Sequence, residues 1–231
     1  MLVHGNWADH RSWQFVAPAL AERHQVLSYD RRGHSRSERT TTPGSRRLDE
    51  DDLAALIETL DLGPVHLVGN SYGGSISLGL AARRPDLVLG VTAHEPPLLG
   101  VAQSYAPLTA ELSHVNRLID DVREMLRAGD LAGGAEHFID AVALGPGSWQ
   151  MLPEENRFTF VANAAMFLDT LGDPHWGDLP EPDTLPVLLT DGNRQSHLAA
   201  HDRLCARSHD LPPRRPPHLR RRGARPPPQP S

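Results

Sequence analysis

Ser71 is the residue whose neighbours do most to prepare it for chemistry. It stands in Gly69-Asn70-Ser71-Tyr72-Gly73, a serine with a glycine two residues away on either side. Glycine and serine are common, so the pentapeptide alone says little; its flanks say more. The apolar run Val65–Gly69 (VHLVG) enters it directly, and a small-residue helical segment from Ser71 to Arg84, closed by Pro85, leaves it directly. A strand that doubles back into a helix without a spacer needs a very tight turn, and glycine leaves room for the two backbones to pass. The serine is then held at the apex in a strained conformation, with the N-terminal amides of the helix behind it. Such a hydroxyl attacks a carbonyl carbon once a base takes its proton. In the plainer alternative, Ser71 is only a helix cap in a tight βα turn.

A second group, His4-Gly5-Asn6-Trp7, ends the first strand-like run and precedes the serine in the chain. In this order the two motifs resemble the serine-nucleophile, esterase-like branch of the α/β-hydrolase fold family, many of whose members carry His-Gly followed by an oxyanion-hole residue. The resemblance implies that the backbone N–H groups of Asn6 and Tyr72 receive the developing negative charge. An ordinary glycine turn is the alternative at residues 4–7. Asp30-Arg31-Arg32-Gly33-His34-Ser35-Arg36-Ser37 resembles the family's D-x-R-G-x-G-x-S loop, with His34-Ser35 where His or Phe and then Gly often occur. That loop reads as structural, with Arg32 tying neighbouring loops together. The resemblance extends over residues 1–200 and does not fix a substrate.

A serine nucleophile needs a histidine base and an acid to orient it. By the resemblance the acid has two candidates. Glu95 follows the strand after the nucleophile helix and is preferred; it could instead only pair with an arginine. Asp191 follows the strand-like run 185–190, but it precedes Gly192, whereas the family's acid comes about three residues after that glycine, where Gln195 stands. For the histidine, His218 and His209 are the only residues in the expected stretch. His218 has the better distance from Asp191, yet no strand precedes it. Absence of the base is the favoured expectation.

These residues must be carried by an alternation of strands and helices, the pattern of an α/β fold around a mostly parallel sheet of about five strands with flanking helices. Strand signals fall at 1–4, 25–29, 65–69, 87–93 and 185–190. Helical spacing is read at 13–21, at 49–60 (apolar at Leu53, Leu56, Ile57 and Leu60), at 71–84 and at about 196–207. Residues 98–176 change character, with helices such as 115–128 and 154–171, and are read as a helical cap inserted after the strand that follows the nucleophile helix. Its Trp149, Phe158, Phe160 and Phe167, with Trp176, would roof an apolar pocket over the serine, or equally form the lobe's own core. The expected division is a core of 1–97 and 177–207, a cap of 98–176, and a disordered Arg/Pro-rich tail of 208–231.

Charge and cysteine content exclude several classes. The 23 basic residues are all arginine. Seven of them fall in residues 207–231 with one aspartate, a local charge of +6, which leaves −12 on residues 1–206 from the total of −6. An acidic body is a poor nucleic-acid partner. No apolar run reaches the roughly 18 residues of a membrane span. The single cysteine, Cys205, allows no internal disulfide and suits a reducing, cytoplasmic setting. His197, His201, Cys205 and His209 recur every fourth residue along one helical face; zinc is the lesser reading and incidental surface histidines the preferred one, so no metal or organic cofactor is expected. Against the family pattern the chain reads as truncated at its start and altered at its end. The expected function is hydrolysis of a small ester or related carbonyl compound through an acyl-enzyme on Ser71, with a small-molecule substrate as the only partner and the oligomeric state open. The alternative is a non-catalytic, ligand-binding relative.

Overall fold

The computed structural model describes residues 1–39, 41–97, 99 and 106–178, and the backbone of 187–190. Apolar, β-branched segments supply a sheet of four parallel strands: β1 (Leu2–Val3), β2 (Val65–Asn70), β3 (Val88–His94) and β4 (Val187–Thr190), in that spatial order. The fifth strand expected at 25–29 is not formed. That segment makes one parallel bridge, Ser28 to Leu2, and one hydrogen bond from the Leu2 amide to the Leu27 carbonyl. Among the described residues its neighbour in the sheet is a strand two residues long, which offers too short a ladder to extend.

The sheet is flanked by α1 (Ala17–Ala21), α2 (Arg46–Thr59) and α3 (Tyr72–Arg83). The helix expected over 13–21 is split. A 3₁₀ turn covers His10–Trp13, and α1 starts only where Pro18 can occupy the first helical turn, because proline inside a helix removes a hydrogen bond and clashes with the preceding turn. Helix α2 begins earlier than expected: the Ser45 side chain accepts from the Leu48 amide and caps it. Leu53 and Ile57 on α2 pack with Leu67, Ile76, Leu80 and Val91 to form the core of the sheet layer, whereas Leu60 is exposed. Glu50 is buried between α2 and α3 over Gly79, paired with Arg83 at 2.6 Å and Arg46 at 3.1 Å.

Between β3 and β4 the chain forms α4 (Thr109–Arg127), α5 (Leu131–His137), a π-helical turn (Phe138–Ala143), α6 (Ser148–Met151), α7 (Glu154–Asn163) and α8 (Met166–Gly172). The helix expected over 154–171 is interrupted at Ala164-Ala165. These helices build a second apolar cluster from Val122, Leu126, Ile139, Trp149 and Phe167, joined by Trp7 from the other layer. Trp149 and Phe167 therefore form the interior of this layer, Phe160 packs against it, Trp176 packs against the sheet core, and Phe158 is 75% exposed. Among the described residues no helix is long and apolar enough to cross a membrane.

Candidate active site

Ser71 sits between β2 and α3 with φ 50° and ψ −125°. A non-glycine residue there is strained by about 1–3 kcal/mol, and such a conformation persists only where its surroundings dictate it. Here they do. A Cβ on Gly69 would run into the backbone of Gly73, and one on Gly73 would run into the Val3 carbonyl, so β2, α3 and β1 meet backbone to backbone. The Ser71 amide donates to the His94 carbonyl at 2.8 Å, and the Ser71 carbonyl accepts from Gly74 at 2.8 Å. Both ends of the residue are fixed. Tyr72 opens α3, and a backbone N–H in the first turn of a helix has no acceptor within that helix.

The Gly5-Asn6 loop backs directly onto this turn. A Cβ on Gly5 would lie 3.0 Å from the Ser71 Cβ and 3.1 Å from the Asn70 carbonyl oxygen, which explains the glycine after His4. Asn6 is held by its side chain: its Oδ1 accepts from Arg31 Nη2 at 3.0 Å and from Thr170 Oγ1 on α8 at 3.2 Å. Trp7 has φ 70° and a buried indole, stacked on Phe138 at 4.9 Å between centroids and tilted on Phe167 at 5.0 Å. Buried Asn163, the last residue of α7, donates through Nδ2 to the carbonyls of Trp7 and Ala8 and accepts at Oδ1 from the Ser35 amide at 2.9 Å. The inserted helices thus grip the loop that abuts Ser71.

The loop at 30–37 contributes from beneath, though not through the residue expected. Arg32 is half-buried and pairs with Asp52, while Arg31 is 2% exposed and touches Gly5, Asn6, His34 and Asp49. Ser35, standing where the family pattern has glycine, has φ 44°, the left-handed region that glycine favours. His4 and His34 are both buried and neutral. His4 gives its Nδ1–H to the Gly5 carbonyl and accepts the Arg31 amide at Nε2, and His34 gives its Nδ1–H to the Arg32 carbonyl and accepts Arg31 Nη2 at Nε2. Burial, reinforced by the Arg31 charge, pulls the His4 pKa down to about 3 and that of His34 well below the usual imidazole range.

The expected catalytic partners divide. Glu95 follows β3 with φ 47° and an exposed side chain. Its predecessor His94 meets the elbow twice, through the Ser71 amide and through an Asn70 Nδ2 to His94 Nδ1 hydrogen bond of 2.8 Å. Asp191, His218 and His209, with His197, His201 and Cys205, lie outside the described residues. Arg31, Trp7, Asn163 and His94 contact the candidate site without a role that motif reading assigns to them. Trp7 stood in the quoted His4–Trp7 group, one residue past Asn6, with no role assigned to it. Asp9, His10 and Asp30 bring carboxylate and imidazole atoms within 4.8 Å of one another. Asp9 is engaged by Arg11 and Ser35, and Asp30 by His10 and the Arg36 amide, so the cluster is a hydrogen-bonded network.

The sequence model of the alpha/beta hydrolase fold matches residues 1–191, and the chain belongs to that family. Similar proteins include the uncharacterized hydrolase YraK of Bacillus subtilis (strain 168), 32% identical over 130 residues that make up 55% of this chain and 46% of that protein. The 2-hydroxymuconate semialdehyde hydrolase of Pseudomonas sp. (strain CF600) is 32% identical over 138 residues, 57% of this chain and 46% of that protein. The chain thus spans about half the length of the relatives it matches. A hydrolase from Pseudomonas aeruginosa PA01 superimposes with a TM-score of 0.67 at 21% identity, over 90% of this chain and 76% of that one, which shows the shared fold.

Proposed function

We propose that the protein hydrolyses a small ester or a related carbonyl compound through an acyl-enzyme on Ser71. The observation that carries this reading is the Ser71 backbone, φ 50° and ψ −125°, at the carboxyl end of a parallel sheet. A capping serine has no use for that strain, whereas a nucleophile gains exposure from it. The Ser71 hydroxyl attacks the substrate carbonyl, and the amides of Asn6 and Tyr72 receive the oxyanion. A histidine base takes the serine proton and returns it to the leaving group, with His218 as the first candidate and His209 as the second; should neither serve, a non-catalytic binding role takes its place. Glu95 orients the histidine, with Asp191 as the other candidate; the residues just before them, His94 and Thr190, are register partners on β3 and β4. Relatives named for the hydrolysis of 2-hydroxymuconate semialdehyde and of 2-(acetamidomethylene)succinate support a small substrate with a carbonyl group. The helices between β3 and β4 serve as a cap that borders the substrate.

A fluorophosphonate probe followed by peptide mapping, run beside a short-chain chromogenic ester assay, tests this. Labelling at Ser71, and a turnover that falls by at least about a thousandfold in Ser71→Ala, are the expected results. Labelling at another residue, or equal turnover in the variant, sinks the proposal. Retained ligand binding with no turnover by the wild type would favour a non-catalytic binding role.

A further inference from the structure

Among the described residues Arg31 is the only buried arginine, and it makes an unusual choice of partners. A guanidinium removed from water is best compensated by a two-pronged pair with one carboxylate. Arg31 offers Asp49 a single prong, Nη1 to Oδ2 at 2.9 Å. The other prong, Nη2, turns to Asn6 Oδ1 at 3.0 Å, the Gly5 carbonyl at 3.4 Å and His34 Nε2 at 3.1 Å, and Nε has no partner among the described residues. The same guanidinium lies over the Tyr72 ring at 5.1 Å, close enough for a cation–π attraction. One side chain therefore touches both residues whose amides face the reacting centre in the proposed mechanism. The arrangement sacrifices the tightest ion pair and gains a fixed spacing between the loop and the helix start.

We infer that Arg31 is a positioning residue, which ties Asn6 to Tyr72 and so sets the separation of the two oxyanion donors. The inference rests on the reading of Ser71 given above. Lysine cannot replace it, because a single ammonium has no fork with which to hold Asn6 and Asp49 while lying flat on a ring.

The test uses the full chain and a fluorophosphonate, with the maximal phosphonylation rate and the half-saturating probe concentration measured separately. Arg31→Gln, Arg31→Lys and Asn6→Ala should each lower the maximal rate by about 10- to 100-fold, the scale of a misalignment transmitted from outside the reacting atoms. The half-saturating concentration should stay unchanged. The double variant Asn6→Ala/Arg31→Gln should be no slower than the slower single one, since both remove the same tie. Wild-type rates in folded Arg31→Gln, or multiplied losses in the double variant, overturn the inference alone. A wild type that is not labelled at Ser71 overturns the nucleophile reading and the inference with it, so the two failures are told apart. Should the Arg31 variants not fold, Asn6→Ala decides by itself: it keeps the buried arginine and the residue 6 amide, and a wild-type rate there overturns the inference.

Discussion

At residues 69–73 the backbone is fixed by lack of space, whereas at residues 5–8 it is fixed by side chains arriving from elsewhere in the chain. Around Ser71 the closest approaches are backbone against backbone, with the Asn70–His94 side-chain hydrogen bond beside them. Around Asn6 and Trp7 the turn is held by Arg31 from beneath, Thr170 and Asn163 from the inserted helices, and an aromatic stack. The first kind of restraint is local and written in five consecutive residues. The second is distributed over some 160 residues and depends on the tertiary fold.

The contrast breaks most visibly at glycine. Gly73→Ala places a Cβ against the Val3 carbonyl, and a loss exceeding about 4 kcal/mol, or failure to fold, is expected in denaturant unfolding. Gly63→Ala is the converse case: its φ of 65° strains any side chain, which Gly73 in helix α3 is spared, but no described atom lies within 4 Å, so the loss should stay at about 1–2 kcal/mol. Equal losses at the two sites would mean that crowding at Gly73 costs no more than backbone strain at Gly63, and that close packing does not hold the turn. On the other side, Asn163→Leu strips the partners from the Ser35 amide and the Trp7 and Ala8 carbonyls. At least about 2 kcal/mol should be lost on unfolding, with slower labelling of Ser71 as the loop relaxes; an unchanged labelling rate would uncouple loop from lobe.

Acid should weaken the loop side selectively. The folded protein keeps His4 neutral down to about pH 3, while the unfolded chain protonates it near 6.5. Between those values the unfolded state binds more protons, so stability is full above about pH 6.5 and falls as the pH drops, by about 1.4 kcal/mol per pH unit for each such histidine. His34 acts in the same direction. Urea midpoints at pH 7 and pH 5 check this, and His4→Gln should flatten part of the slope. The smallest effect expected is a gain: Ser71→Gly relieves the strained φ and should raise stability by about 1 kcal/mol while abolishing labelling.

Legibility in the sequence follows the same division. The tight turn at Ser71, the His-Gly turn and the strand positions near 1–4, 65–69, 87–93 and 185–190 were readable because they depend on neighbours in the chain: an apolar run into a glycine turn, then a helix closed by proline. Arg32 was the natural choice for the loop's anchor, yet Arg31 takes that place, because which of two adjacent arginines is buried depends on Asp49 and Asn6 arriving from other segments. The aromatics of residues 149–167 split between interior and surface for a like reason, since helical spacing does not reveal what faces a helix. The strand signal at 25–29 was real as a local preference and failed for want of a partner long enough to pair with.

The indole of Trp7 bears a mechanical consequence. It belongs by sequence to the strand layer and by packing to the helices inserted between β3 and β4. A rigid swing of those helices away from the sheet would have to drag this ring or tear it from Phe138 and Phe167. Such a swing would therefore be geared, one peptide bond away, to the orientation of residue 6.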